Sequence, residues 1–334
     1  MEKYIGKGYT GLKNLGNTCF INSCIQILSH TYELTELLNS EKTKQFIKSD
    51  INDRLMFEEY NALIQLMWSQ NGIVGPNKFL FTVHNVAKEK NKEIFTGFAQ
   101  NDMSEFLQFL VDCLHNTVSR KMLTSADGKI EEYSEIMNLF YGKYVSKIMS
   151  IDTNTIYTQN VEPFFMLCLP IPKEFPNPVP TLYDCFRKFA DAEVLTGENR
   201  WFNEKENAHQ DVVKQYSFIK FPQICIILLE RFIAGDGFRK NEILVDFPID
   251  DLDVSSFMDT SAAASSPRPK YRLFGVCNHM GNVLFGHYTS FVRNAANEWI
   301  HYNDERVEKV DDPRQMITPM AYCLFYRRID GDGV

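Results

Sequence analysis

Apolar residues recur with helical spacing through the first third of the chain. From Cys19 they fall at Ile21, Cys24, Ile25 and Leu28, the i, i+3, i+4, i+7 stripe of a packed helix. The stretch NDMSEFLQFLVDCLHNTV puts Phe106, Phe109, Leu110, Cys113 and Leu114 on one face, and Asp102 followed by Glu105 predicts a capping box with Asp as the cap. Beyond about residue 140 the pattern changes. YGKYVSKIMS and NTIYTQNVEPFFMLCLPIP, rich in β-branched and aromatic residues, predict strands, whereas PIPKEFPNPVP has too many prolines for a regular element. Leu182, Cys185, Phe186 and Phe189 mark a short helix opened by Thr181, and KQYSFIKF returns to strand. QICIILLERF is a near-continuous apolar run, as in a central strand covered on both faces. Residues 255–269, small, polar and proline-ended, predict a mobile surface loop. RLFGVCNH, HYTSFVRN, EWIHYN and AYCLFYRRI then predict an antiparallel meander. The class is α+β: a helical first part followed by a mainly antiparallel sheet.

Composition narrows the function. With 35 basic against 43 acidic residues the 334-residue chain carries a net charge of -8, which argues against a general nucleic-acid or acidic-membrane binder. The start, MEKYIGKGYTGLKN, has no apolar stretch of signal-peptide length, and no run is long enough to span a membrane. Eight dispersed cysteines without a CxxC pair suit reduced thiols in the cytosol or nucleus. The sequence assigns no oligomeric state.

One stretch, GLKNLGNTCFINS, joins a polar, glycine-punctuated segment to the first helix. A thiol nucleophile needs a charge-favouring setting, a base, and donors for the oxyanion of a tetrahedral intermediate. A helix N-terminus favours negative charge, Gly16 allows a tight bend, and Asn14 offers a side-chain NH2. Taken alone, Cys19 reads more safely as a core cysteine and Asn14 as a turn former. Among seven histidines His287 stands out in FGHYTSFV, while His279 and His301 flank the same sheet. WIHYND then offers Asn303 and Asp304 as the group that orients the imidazole. Adjacent strand residues point to opposite faces, so only one of the two can reach the ring.

GLKNLGNTCFINS, QNDMSEFL and VCNHMGNVLFGHYTSFVRN...WIHYND resemble, in order, the cysteine, middle and histidine boxes of the ubiquitin-specific proteases. The resemblance runs from about Gly11 to Arg327 and also takes in VEPFFMLCLPI, TLYDCF and FPQICIILLERF. It implies a papain-like fold with a helical thumb (about 1–139), extended β fingers with part of the palm (140–220) and an antiparallel palm sheet (221–330), in one catalytic domain over 1–334. It implies hydrolysis of the bond after ubiquitin's C-terminal glycine through a thioester. Cys19 takes the nucleophile's place, His287 that of base and then acid, Asn303 that of the orienting group with Asp304 as an auxiliary, and Asn14 that of the oxyanion donor. Asp102 and Glu105 match the acids that hold the basic ubiquitin tail, Gly286 and Tyr288 the wall of its channel, and His279 a loop before it. The partner is ubiquitin or a ubiquitinated protein.

The chain departs from the family where many members carry two zinc-binding CxxC pairs. Ser150, Thr153, Asn203 and Glu206 stand at those positions, so the expectation is neither metal nor cofactor. Two alternatives stay open: a ubiquitin-binding pseudoenzyme, and a protease for a ubiquitin-like modifier.

Overall fold

The computed structural model describes residues 2–49, 52–123, 130–233, 239–263, 268–282 and 285–329. Its helical part comprises α1 (Cys19–Ser29), α2 (Asp53–Ser69), α3 (Asn77–Glu89) and α4 (Met103–Val118). Every residue of α1 is buried, the polar ones included. Gln26 Nε2 donates to Thr10 O at 2.7 Å, and Asn22 Nδ2 donates to Asp304 Oδ1 at 2.8 Å. Polar groups can be buried when they find partners. Two polar residues on the non-stripe face of α1, Asn22 and Gln26, are thereby tied to other segments of the chain.

Asp102 caps α4 by accepting Ser104 N at 2.7 Å. Glu105 is exposed and contributes no reciprocal bond, so the expected capping box is a simple cap. The reciprocal box belongs to Thr181 and Asp184 at the head of α5 (Leu182–Ala190).

Strand β1 (Gly142–Ser150) pairs with β2 (Ile156–Phe164), and the chain then crosses to another sheet as β3 (Met166–Pro170). One continuous strand-like pattern in the sequence is thus two strands in two sheets, with Phe165 at the junction. The first sheet has the order β2-β1-β7-β4, where β4 is Glu193–Leu195 and β7 is Val212–Lys220. Between them β5 (Trp201–Asn203) and β6 (Ala208–Gln210) form a separate hairpin.

The second sheet carries β8 (Ile224–Glu230), β9 (Lys270–Gly281), β10 (Gly286–Arg293), β11 (Trp299–Asn303), β12 (Arg306–Val310) and β13 (Ala321–Arg328). Its order is β12-β11-β10-β9-β13-β8-β3. Two details depart from a simple antiparallel meander. The last strand returns to lie beside β9, and β3 joins β8 in parallel. β8 has the expected position between two neighbours. Ile224 and Ile226 enter the core shared with α1 and α4, while Cys225, Ile227 and Leu229 enter a second core with Phe186 and Phe218. Burying one such side chain contributes about 1.5–3 kcal/mol, which is why this segment tolerates no polar alternation.

The expected mobile loop is held in its described part. Ser255–Phe257 forms a 3-10 turn and Thr260–Ala263 a helical turn. Phe257 stacks on Phe186 at 5.0 Å, and Asp259 accepts bonds from Lys147 Nζ and Ser217 Oγ. Residues 264–267 of that loop lie outside the described residues.

Candidate active site

The nucleophile's loop is set by its own polar side chains. Gly16 has φ +102° and Asn17 φ +56°, and such left-handed conformations suit glycine and asparagine. Asn14 Oδ1 accepts Gly16 N at 3.0 Å and Thr18 N at 3.2 Å, while Thr18 Oγ1 accepts Leu15 N at 2.9 Å. These bonds close the loop against the start of α1, where Cys19 is the first helical residue and is buried.

His287 lies near the start of β10. Ser290 pairs with Tyr302 and Phe291 with His301, so the same register sets Asn303 opposite Thr289, two residues from His287 and on its face of the sheet. His287 Nε2 donates to Asn303 Oδ1 at 2.7 Å. The ring's other nitrogen, Nδ1, is not used by Asn303, and Cys19 lies close enough to act on the imidazole. Cys19 is the main reason that the imidazole is raised to about 9, Asn303 adds to it, and burial opposes both. His287 therefore holds a proton at neutral pH, and Asn303 suffices to fix its orientation.

Asp304 points elsewhere. It sits at φ +51° in the two-residue connection between β11 and β12, a conformation Asp tolerates. Its Oδ2 accepts Asn14 Nδ2 at 2.9 Å, its Oδ1 accepts Asn22 Nδ2, and its backbone oxygen accepts Leu12 N at 2.9 Å. Among the described residues no hydrogen bond joins Asp304 to His287. Asn14 Nδ2 has two hydrogens, and Asp304 takes one.

The remaining sequence candidates separate by environment. Asp102 Oδ1 accepts both Ser104 N and Ser104 Oγ, and Oδ2 accepts Tyr322 OH at 2.7 Å and Tyr288 OH at 3.3 Å. A carboxylate offers about four acceptor sites, so Asp102 is fully committed inside the protein. Glu105, one helical turn away, is exposed and makes no ion pair among the described residues. Tyr288 is buried, its phenol pushed up by burial and by the Asp102 carboxylate. His279 is buried, and burial with the nearby Lys240 cation pushes it down to about 4. Its ring lies directly behind Gly286, where a Cβ would come within 2.0 Å of Nε2. His279 thus acts as a neutral wall behind the strand that carries His287.

Sequence reasoning missed three residues that complete these contacts. Asn22 is a polar residue in an apolar helix and could have been noticed as such. Gln100 adjoins the Asp102 segment and accepts Gly286 N at 2.7 Å. Tyr322 lies on β13, and nothing local ties it to Asp102.

A cysteine at a helix start, a histidine whose proton affinity that cysteine raises and an asparagine bonded to the ring are brought together here. The ubiquitin carboxyl-terminal hydrolase family matches over residues 10–326. The chain belongs to that family. It is 33% identical to ubiquitin carboxyl-terminal hydrolase 2 of Bos taurus over 98% of its own length and 56% of the relative's. With ubiquitin carboxyl-terminal hydrolase 21 of Bos taurus it shares 30% identity over 97% of itself and 62% of the relative. The chain thus spans a little over half the length of these relatives. In fold it is similar to a chain of the SAGA DUB module bound to monoubiquitin, with a TM-score of 0.78 and 23% identity over 99% of this chain and 71% of the other. A structure of that module bound to ubiquitin aldehyde gives a TM-score of 0.79 at 23% identity, over 98% and 70%.

Proposed function

We propose that the chain is a cysteine-dependent deubiquitinating protease that cleaves the isopeptide or peptide bond after ubiquitin's C-terminal glycine. The observation that carries this reading is the alignment of Cys19, His287 and Asn303 with Asn14 fixed beside the nucleophile. Cys19 Sγ, its proton passed to His287 Nδ1, attacks the glycine carbonyl carbon, and the oxyanion gains a hydrogen bond from Asn14 Nδ2. His287 Nδ1 gives its proton to the departing lysine amine, leaving a glycyl thioester. Water then attacks the thioester as Nδ1 takes its proton, and collapse returns Cys19 and a free ubiquitin carboxylate. Removing one oxyanion donor typically costs about 10²–10³ in rate, which makes the fixing of Asn14 consequential for turnover.

The exposed Glu105 supports recognition of a basic tail, and the side-chain-free Gly286 backed by His279 supports a channel that admits glycine. Asp102 enters this reading as the group that fixes Tyr288 and Tyr322 in the channel wall. The division into thumb, fingers and palm at about residues 139 and 220, within one catalytic domain, belongs to the same proposal, as does an intracellular setting in cytosol or nucleus. All eight cysteines are unpaired, which supports a reducing compartment. Among the described residues no helix is long and apolar enough to cross a membrane.

The test is hydrolysis of a fluorogenic amide on the C-terminus of ubiquitin, beside the same amide on ubiquitin-like modifiers that also end in two glycines. Turnover of the ubiquitin substrate that vanishes in Cys19→Ala is expected. Binding without turnover would favour a pseudoenzyme, and turnover of another modifier alone would replace ubiquitin as the substrate.

A further inference from the structure

Gln100 closes a contact across the cleft that no catalytic step above uses. Its Oε1 accepts the backbone N–H of Gly286 at 2.7 Å, although 186 positions separate the two residues. Because the donor is a backbone N–H, the atom facing it must be the amide oxygen. Nε2 turns back to Asn17 Oδ1 at 3.5 Å, and Asn17 Nδ2 donates to Phe98 O at 2.9 Å. Asn17 and Gln100 thus belong to the wall that carries Cys19, while Gly286 opens the strand that carries His287. A chain delivering a carbonyl to Cys19 has to pass between these walls.

The Gly286 N–H is placed to receive an added strand. On one side Gly286 pairs with Gly281, whereas β11 begins to pair with β10 only at Ser290. The cleft side of β10 from residue 286 to 288 is therefore an open sheet edge, the setting in which an extended peptide bonds main chain to main chain. His279 stands behind Gly286, so the backbone cannot withdraw. Phe98, 64% exposed, and Phe285, 71% exposed, flank the contact from opposite walls.

We propose that Gln100 stands in for the substrate. In the empty cleft its amide oxygen occupies the Gly286 N–H, and a backbone carbonyl of the incoming tail displaces it. The residue sets which chains enter, since only an extended chain with a carbonyl at this register recovers the bond it breaks. It does not take part in bond cleavage. This inference rests on the reading of the cleft as the channel for ubiquitin's tail.

Removing the competitor destabilises the free enzyme and leaves the bound states alone, so KM falls while kcat holds. Two variants are compared with wild type on ubiquitin carrying a C-terminal fluorogenic amide: Gln100→Ala, and Gln100→Leu to keep the volume. Both are expected to lower KM about three- to tenfold, the worth of one net hydrogen bond, with kcat unchanged. Amide hydrogen exchange at Gly286 in the free protein, measured by NMR, is expected to speed up in both variants. A fall in kcat, or a KM that is unchanged or raised, overturns the proposal, because Gln100 would then be fixing the His287 strand or binding substrate directly. Unchanged exchange at Gly286 overturns it without reference to any substrate. If wild type itself neither binds nor cleaves ubiquitin, the deubiquitinase reading fails, and the clasp falls with it even though Gly286 exchange responds.

Discussion

The cleft and the tip of the first sheet are built on opposite principles. In the cleft the working side chains are held by polar partners that include distant parts of the chain. Asn14 is fixed by Gly16, Thr18 and Asp304, and His287 by Asn303, with Cys19 raising its proton affinity. At the tip the hairpin β5–β6 meets β2 through the Tyr157–Trp201 stack, with ring centroids 5.9 Å apart and planes at 11°. Its polar contacts are local: Ser150 Oγ accepts Thr153 N, and Asn203 Nδ2 donates to Gln210. Among the described residues no cluster of three His, Cys, Asp or Glu side chains could hold a metal there. Fixed geometry is concentrated around Cys19 and His287, and simple adhesion holds the periphery.

The largest effect is expected in the cleft. Cys19→Ala and His287→Ala should each lower kcat/KM by about 10⁴-fold or more, as for residues that act as one unit. A folded Cys19→Ala variant with residual turnover near wild type would break the contrast at its centre.

Next come the two neighbours at the end of β11, which act on different partners. Asp304→Ala should cost about 10²-fold through the oxyanion donor it positions, close to the loss in Asn14→Ala and not additive with it. Asn303→Ala should cost less and act on the imidazole. If Asp304→Ala alone is harmful, Asn303 is not the orienting group.

A pH profile separates these routes further. The folded value of His287, about 9, lies above its ordinary 6.5. The folded chain therefore keeps a proton that the unfolded chain releases above 6.5. The associated stability is complete below 6.5 and is lost as pH rises through about 9. The same titration removes the acid needed by the leaving amine, so kcat/KM should fall along an alkaline limb near 9. Asn303→Ala should move that limb down, whereas Asp304→Ala should lower the rate with the limb nearly in place. In Cys19→Ala, NMR titration of His287 should show the largest downward shift, since its main support is gone.

The smallest effect belongs to the tip. Trp201→Ala should lower stability by about 1 kcal/mol, the scale of one aromatic pair, and leave kcat for a small peptide amide unchanged. Chelators should leave the melting temperature where it is. A marked chelator effect, with one zinc per chain by elemental analysis, would give the tip a metal and erase its difference from the relatives that carry one.

What was legible in the sequence follows the same divide. The helix at Cys19, the continuous run ICIILL and the bend at Gly16 are local, and periodicity or backbone chemistry reveals them. Three boxes in order located the cysteine, histidine and asparagine even though the chain separates them widely. Partner choice was not local. YND placed two acceptors side by side, and only strand register shows that Asn303 shares the face of His287 while Asp304 turns back to Asn14 and Asn22. Asp102 read as a cap with acceptors to spare, but tyrosines on two other strands take up its second oxygen. The run from NTIYT to CLPIP hid a change of sheet because Phe165 alone separates the two strands and no turn residue marks the crossing, and the Asp259 and Phe257 contacts of the 255–263 segment come from side chains its small-residue composition outnumbers.

The central claim is that Cys19 is a nucleophile aimed at ubiquitin's C-terminus, and covalent capture tests it most directly. Ubiquitin carrying a C-terminal electrophile is incubated with wild type, Cys19→Ala and His287→Ala, and the intact masses and modified peptides are read. One adduct per chain, confined to Cys19, absent in Cys19→Ala and slowed in His287→Ala, is the expected result. No adduct on the folded wild-type chain, or capture by any of the other seven cysteines, would contradict the account.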